Sequence, residues 1–486
     1  MKKIGYSLAL VGVLCAAAFA FADRLSGGDG QLGAAQILGI EMGVVLFLIG
    51  MGLSRLDSSA LRGATDSLRA FFANLPASSP TGWVIATFLA WYLPLFLSPL
   101  LFSNPTIHYF AKYIPDAWVT RVGFDAEQTV SHVQAWLTTG TSPYADGIVP
   151  YPPLALALFA PLVLLGYPAY FKFLSLLTVA AFTLAALLIP IWINRANRGG
   201  NSLILLFFLI GLFSYGFQFE LERGQFNVIA FACALAAIYL FHYHKPFRVV
   251  AYLLFSLAVQ LKLYPVIFFV MLIEDWRDWK SNLKRVARLA LFNFALLFVL
   301  GADLAGQFLT RIVSRQSGFV SSRVEDMSIS GFVLQLATDG IVGSSGWLSV
   351  VLLGVFAACL LAILVHAYQT KQRGLNPYLL AICTLCALTI PAGSFDYKLP
   401  LLAAPLALAL GRLPALPSLS KRLASLALTV LVSAAYWLTQ YPFTVKAGLW
   451  AKNFPALFFI LLGVTGLYFL TRGADDAGGP SEPPAF

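Results

Sequence analysis

The feature that most constrains this chain is the recurrence of predominantly apolar runs of roughly 17–25 residues, the length a helix needs to cross a bilayer. In hydrocarbon every backbone N–H and C=O must find a partner within the spanning element, so such runs fold as helices. Of the 486 residues, 59% are hydrophobic and 11% charged, with a mean hydropathy of +0.79. A soluble core cannot absorb that much apolar surface. The chain reads as all-α and polytopic, with about 14 transmembrane helices and a long first external loop carrying short interfacial helices. The 40 Phe, 19 Tyr and 10 Trp suit lipid-facing surfaces and interfacial belts.

The formal charge of +10 does not point to nucleic acid. Lys and Arg fall in short clusters at helix ends, as the positive-inside rule expects, and no soluble module offers a basic face. Cys15, Cys233, Cys359, Cys383 and Cys386 lie in apolar runs. Cys383 and Cys386 form a C-x-x-C, but without a second pair or a nearby His they read as small apolar packing residues. No metal site is predicted.

Met1-Lys2-Lys3 precedes an apolar run that ends at Ala22, read as a retained first helix, with a cleaved signal peptide as the alternative. A second run covers about 33–53. Arg55, Arg62 and Arg69 then sit seven apart on an amphipathic cytoplasmic segment, and a third run covers about 82–104. The expected organisation is a helix pair with its amphipathic segment (1–75), a main transmembrane domain (76–472) and a disordered Gly/Pro/acidic tail (473–486).

The polar loop at about 105–150 holds Lys112, Asp116, Arg121, Asp125, Glu127, His132 and Asp146. Within it the pattern predicts a helix over 124–139 and a turn after Gly140. The stretch 152–166 is short, begins with prolines and reads as interfacial or re-entrant. That choice leaves Arg195 and Arg198 on the same side as the later basic clusters, and both termini cytoplasmic. Further spans are expected at about 168–192, 202–219, 225–243, 248–260, 264–274, 285–304, 347–367, 377–393, 398–412, 422–440 and 454–471. The two around Lys262 are short and suggest a broken hairpin lining a cavity. Residues 305–346, with Arg311, Arg315, Arg323, Glu325 and Asp326, read as a second external loop.

This topology puts the unusual polar residues on one side: Asp125 and Glu127, then Glu220 to Asn227, then Lys262 with Tyr264, then Ser394 to Lys398. Ionisable groups beside a membrane are costly and are usually paired or functional. A cavity ringed by such turns suits glycosyl transfer from a lipid phosphate. A carboxylate, Asp125, takes the proton of the sugar hydroxyl, and Lys262, Arg223 and Lys398 steady the leaving phosphate. No cofactor is required in this reading, and the need for a divalent ion is left open. The bland readings are solvated loop acids at Asp125 and Glu127, a turn-fixing ion pair at Glu222-Arg223, a snorkelling Lys262, a local pair at Asp396 and Lys398, and a loop histidine at His132. The rival function is a transporter or lipid-linked-sugar flippase, which broken helices also suit.

Several pieces together resemble the GT-C membrane glycosyltransferases, and among them family 87 (the DUF2029 group). They are Asp125 in the first long loop, Gly140-x-x-Pro143-Tyr144, Tyr151-Pro152-Pro153-Leu154 with Ala160-Pro161-Leu162, Gly224-Gln225-Phe226-Asn227, Leu261-Lys262-Leu263-Tyr264-Pro265, and Ser394-x-Asp396. The resemblance runs over about residues 82–410 and leaves out the first helix pair. It implies a polyprenyl-phosphate-sugar-dependent, inverting transferase in the cytoplasmic (inner) membrane, working on a glycolipid or cell-envelope glycan at the external or periplasmic face. It also implies Asp125 as general base, with Gln225, Asn227 and Lys262 lining the site. The expected substrate-binding set is Glu222, Arg223, Gln225, Asn227, Lys262, Tyr264, Asp396 and Lys398. Where mannosyltransferases of the family often carry Ser-Trp-x-His-His, this chain has Ser394-Phe395-Asp396-Tyr397-Lys398, so mannose is not implied.

Overall fold

The structure, a computed structural model, describes residues 6–7, 9–18, 43, 47, 122–147, 149–167, 169–194, 201–318, 325–342, 346–411, 418–440 and 453–475. Most of the second expected span, the third, the Arg55–Arg69 segment, Lys112, Asp116, Arg121, the boundary at 75 and most of the tail lie outside these residues. Among the described residues the fold is all-helical and has no strand.

Ala9–Ala18 is a short apolar helix. From Phe124 onward the α-helices are, in chain order, α1 (Phe124–Thr139), α2 (Pro153–Leu165), α3 (Ala169–Thr183), α4 (Asn201–Leu212), α5 (Tyr215–Arg223), α6 (Asn227–Tyr243) and α7 (Arg248–Leu261). There follow α8 (Trp279–Leu296), α9 (Ala302–Gly318), α10 (Ile329–Thr338), α11 (Gly346–Gln369), α12 (Pro377–Thr389), α13 (Ala403–Leu410), α14 (Leu419–Gln440) and α15 (Phe454–Asp475). Helix α3 continues through a π-turn at Leu184–Leu188 into Ile189–Ile193. Pro190 has no N–H to return to the preceding turn, and the widened turn absorbs that loss.

By length and composition, four helices among the described residues are able to cross a bilayer: Ala169–Ile193, Gly346–Gln369, Leu419–Gln440 and Phe454–Thr471. A fifth is counted if α4 and α5, bent by 48° at their junction, act as one span. The other expected crossings within the described residues fall on shorter helices, on the charged helix α8, or on 3₁₀ turns such as Tyr264–Leu272 and Asp396–Leu402. Helix α2 is 13 residues long, with Pro153 at its first position, where the missing N–H costs nothing.

The stretch 305–346, expected as a second external loop, is largely helical, with α9 and α10 occupying much of it. Helix α9 carries arginines among apolar residues, a pattern that reads as a loop until its buried side, Ala305 and Phe308, is recognised. Helix α10 starts on Ser328, whose hydroxyl accepts from Gly331 N at 3.0 Å.

The chain divides into two compact units. The first comprises Met1–Phe182, Glu220–Leu263 and Ala287–Val313; the second comprises Thr183–Phe219, Tyr264–Val286 and Ser314–Phe486. In the first, α6 and α7 form an antiparallel hairpin whose buried residues include Ala230, Ala234, Ala237, Ala251 and Ala258. Small side chains let the helix backbones approach closely. A buried polar knot closes the far end of the hairpin: Asn293 Nδ2 donates to Ser256 Oγ at 3.0 Å, and Gln260 Nε2 to the Asn293 carbonyl at 2.9 Å. In the second unit α12 and α13 are buried along their whole length, as expected of helices that are apolar on every face.

Candidate active site

Two glycine turns build the site in the first unit. Gly123 precedes α1 with φ +84°, and a Cβ there would lie 2.6 Å from the Phe171 ring. Gly224 ends α5 with φ +67°, and its Cβ would lie 2.7 Å from that of Ala126. Without side chains at these points the two backbones touch, and Gly123 N donates to the Glu222 carbonyl at 2.6 Å. The first turn of α1 is thereby held against the end of α5. The chain then reverses, with Gln225 N donating to the Glu220 carbonyl at 2.9 Å, and enters α6 at Asn227. The fully buried Glu220 carboxylate sits at the N-terminus of α6, accepting from Val228 N at 3.0 Å and Asn227 Nδ2 at 2.9 Å. A carboxylate there answers the unpaired N–H groups and the positive end of the helix dipole.

Asp125 projects from the first turn of α1. Its Oδ2 accepts from Gln225 Nε2 at 2.5 Å, and its Oδ1 lies 3.6 Å from Arg223 Nη1. The other end of the same amide reaches Lys262, whose Nζ donates to Gln225 Oε1 at 2.8 Å. These two partners fix which end of the amide is which. A flipped Gln225 would set its NH₂ against an ammonium and its oxygen against a carboxylate. Lys262 terminates α7 in extended backbone, and its ammonium lies 4.2 Å from the Phe226 ring centroid and 4.3 Å from that of Tyr151. Tyr151 is held from behind, its carbonyl accepting from Tyr144 Oη at 2.7 Å, and burial pushes the Tyr144 hydroxyl above its ordinary range. The Asp125 side chain is 24% exposed and that of Arg223 12%, whereas Gln225 and Asn227 are buried.

Of the residues expected from sequence, the first unit thus gathers Asp125, Arg223, Gln225, Asn227 and Lys262. Glu222 lies in the same turn; its carbonyl anchors Gly123, and its buried carboxylate leaves Oε2 without a hydrogen bond among the described residues. Tyr264, Asp396 and Lys398 belong to the second unit. There Lys398 Nζ donates to Ser394 Oγ at 3.0 Å and stands 5.8 Å from the Tyr264 ring centroid.

Sequence reasoning missed two pairings. One is His132 with Asp146, Nε2 to Oδ2 at 2.5 Å. Since the Gln128 carbonyl lies 2.6 Å from Nδ1, both ring nitrogens face acceptors, an arrangement that favours the doubly protonated imidazolium. Burial alone pushes His132 down, but the Gln128 carbonyl and the Asp146 carboxylate outweigh it and hold the ring above its ordinary 6.5. The other is the bridge of Asp326 to Phe395, with Met327 N donating to the Ser394 carbonyl at 2.8 Å and Asp396 N to that of Glu325 at 3.0 Å. The local signal was Asp326-Met327-Ser328, an acid and a hydroxyl ahead of a helix. Among the described residues no group of three or more His, Cys, Asp or Glu is placed to hold a metal.

The model of glycosyltransferase family 87 matches residues 150–394, half of the sequence. The chain belongs to that family. As a family 87 protein it is a membrane glycosyltransferase, and the all-helical fold agrees. No curated protein and no solved structure matches it. The matched residues take in Tyr151, the turn from Glu220 to Asn227, Lys262 and Ser394, and begin after α1. Asp125 therefore lies outside the match, yet it is bonded to Gln225 within it.

Proposed function

We propose that this family 87 enzyme transfers a sugar from a polyprenyl phosphate to a hydroxyl of a glycolipid or cell-envelope glycan. It does so at the external face of the cytoplasmic membrane, with inversion at the anomeric carbon. Asp125 is the general base. The observation that carries this reading is the unbroken line from Asp125 through Gln225 to Lys262, with Arg223 beside it. It sets a partly exposed carboxylate near two cations, which are the two functions the reaction needs.

The acceptor hydroxyl gives its proton to Asp125 as its oxygen forms a bond to the anomeric carbon. The bond from that carbon to the phosphate oxygen breaks, and its electron pair leaves on the polyprenyl phosphate. Charge grows on the phosphate as the bond breaks. Arg223 and Lys262 stabilise it more in the transition state than in the ground state. No cofactor is invoked, since these side chains carry the charge.

Asp125→Asn keeps the size of the side chain and one oxygen able to accept from Gln225 Nε2, but cannot accept the proton. The variant is expected to insert into membranes and to keep its thermal midpoint while losing transfer from a polyprenyl-phosphate hexose by on the order of 10²–10⁴-fold. Near-normal turnover by the purified variant would overturn the assignment.

A further inference from the structure

We infer that Gln225 is a positioning residue that couples Lys262 to Asp125, so that occupation of the phosphate end of the site is felt at the proton-accepting end. The inference rests on the functional reading above but makes a separate claim, namely that the amide is a mechanical and electrostatic link and not merely part of the substrate-binding surface.

The geometry carries the argument in three steps. The amide of Gln225 touches both ionic partners, at 2.5 Å on the carboxylate side and 2.8 Å on the ammonium side. It is buried, and its backbone is pinned by the bond from its own N–H to the Glu220 carbonyl, so the side chain has little freedom to swing away. Asn227 Nδ2, 3.4 Å from the same Oε1, adds a second donor on the ammonium side. Hydrogen bonds in a row polarise one another, so an ammonium on the carbonyl oxygen strengthens the N–H donated at the other end. A phosphate arriving at Lys262 competes for that ammonium. The competition weakens its bond to Oε1, relaxes the N–H bond to Asp125 and makes the carboxylate a better proton acceptor. The base is thus favoured when the donor is in place.

Other charges also bear on Asp125. Arg223 is at 3.6 Å, Glu127 shares its helix, and Glu220 and Glu222 flank the same turn. The test must therefore separate a path through Gln225 from direct electrostatics across the site.

The purified full chain is treated with a water-soluble carbodiimide and an amine at fixed near-neutral pH, and Asp125 labelling is followed by peptide mass spectrometry. Only the protonated carboxyl reacts, so the rate reports how well the anion is held. No substrate is needed, so the result is independent of whether Asp125 proves to be the base. Gln225→Met removes the donor at nearly constant volume and should label several-fold faster than the native chain. Gln225→Glu keeps an acceptor for Lys262 but sets a second carboxylate beside Asp125, and should label faster still. Lys262→Met should speed labelling in the native background, and clearly less in the Gln225→Met background. An unchanged rate in both Gln225 variants, or an equal effect of Lys262→Met in both backgrounds, overturns the coupling. In that event the base assignment still stands or falls on Asp125→Asn turnover.

Discussion

Two polar clusters sit in two units of one chain, and they are built differently. In the first, side chains do the joining: a carboxylate, an amide and an ammonium in line, with aromatic rings under the cation and part of the acid open to its surroundings. In the second, the backbone does the joining. Asp326 pairs with Phe395, Met327 with Ser394 and Asp396 with Glu325, while Asp326, Ser394 and Asp396 are buried. Main-chain bonds hold two segments together whatever the side chains are, so they fix shape. Side-chain bonds between charged groups are exchangeable, and a ligand can take over either partner. The same residue types therefore form an exchangeable side-chain line in one place and a fixed chain pairing in the other.

The contrast is open to direct attack. After the loss expected of Asp125→Asn, the largest effect is expected at Lys262. Lys262→Ala should lower kcat/KM by on the order of 10–100-fold, mostly through the donor and not the acceptor, as loss of a charged partner of phosphate requires. A change confined to the acceptor would break the assignment of this end of the cluster to phosphate. A change in stability, not in substrate use, is expected at Asp326. Its Oδ1 accepts from Ser328 N at 3.0 Å within a fully buried corner. Asp326→Ala should therefore cost about 1–3 kcal/mol in unfolding experiments while leaving donor KM unaltered. A donor KM defect in a fully folded preparation would show that the second cluster also handles substrate.

Between these lies Gly224→Ala, which forces a Cβ towards Ala126 and a side chain into left-handed backbone. About 1–3 kcal/mol of strain should appear as a lowered thermal midpoint together with reduced turnover, because the turn holds α1 to the end of α5. Loss of stability with full turnover would mean that this junction does not position Asp125.

The smallest effect concerns pH. His132 is held above 6.5 by its two acceptors, so the folded state binds its proton more tightly than the unfolded state. The stabilisation is complete below the ordinary histidine value and is lost as pH rises through the raised one. The native thermal midpoint should fall modestly across that window, and His132→Gln should remove the slope. An unchanged slope in the variant would assign it to another group.

Much of the scaffold was legible because it is written in local chemistry. Gly123 and Gly140 bracket α1, and both adopt positive φ, so a helix over 124–139 follows from the punctuation. Pro152-Pro153 marks the start of α2 for the same reason. The helix at 302–318 was missed because arginines among short apolar groups mimic a loop, and only the packing of Ala305 and Phe308 reveals the buried side. The helix at 329–338 is a ten-residue apolar segment whose start at Ser328 was not read as a cap. At the site the residue types stood out, since acids, amides and a lysine are conspicuous in so apolar a chain. Their partners did not. Asp125 and Gln225 are 100 residues apart and Gln225 and Lys262 are 37 apart, and nothing local in the sequence encodes such pairs. The Asp326–Phe395 bridge is hidden in the same way, being a backbone contact between distant segments.

The most direct test of the central claim is a structure of the chain with a polyprenyl phosphate bound in a lipid nanodisc. The account predicts the phosphate within charge-assisted hydrogen-bond distance of Lys262 or Arg223, with the Asp125 carboxylate open towards the space beside it. A phosphate lodged away from both cations, with Lys262 still bonded to Gln225 and Asp125 closed off, would contradict it.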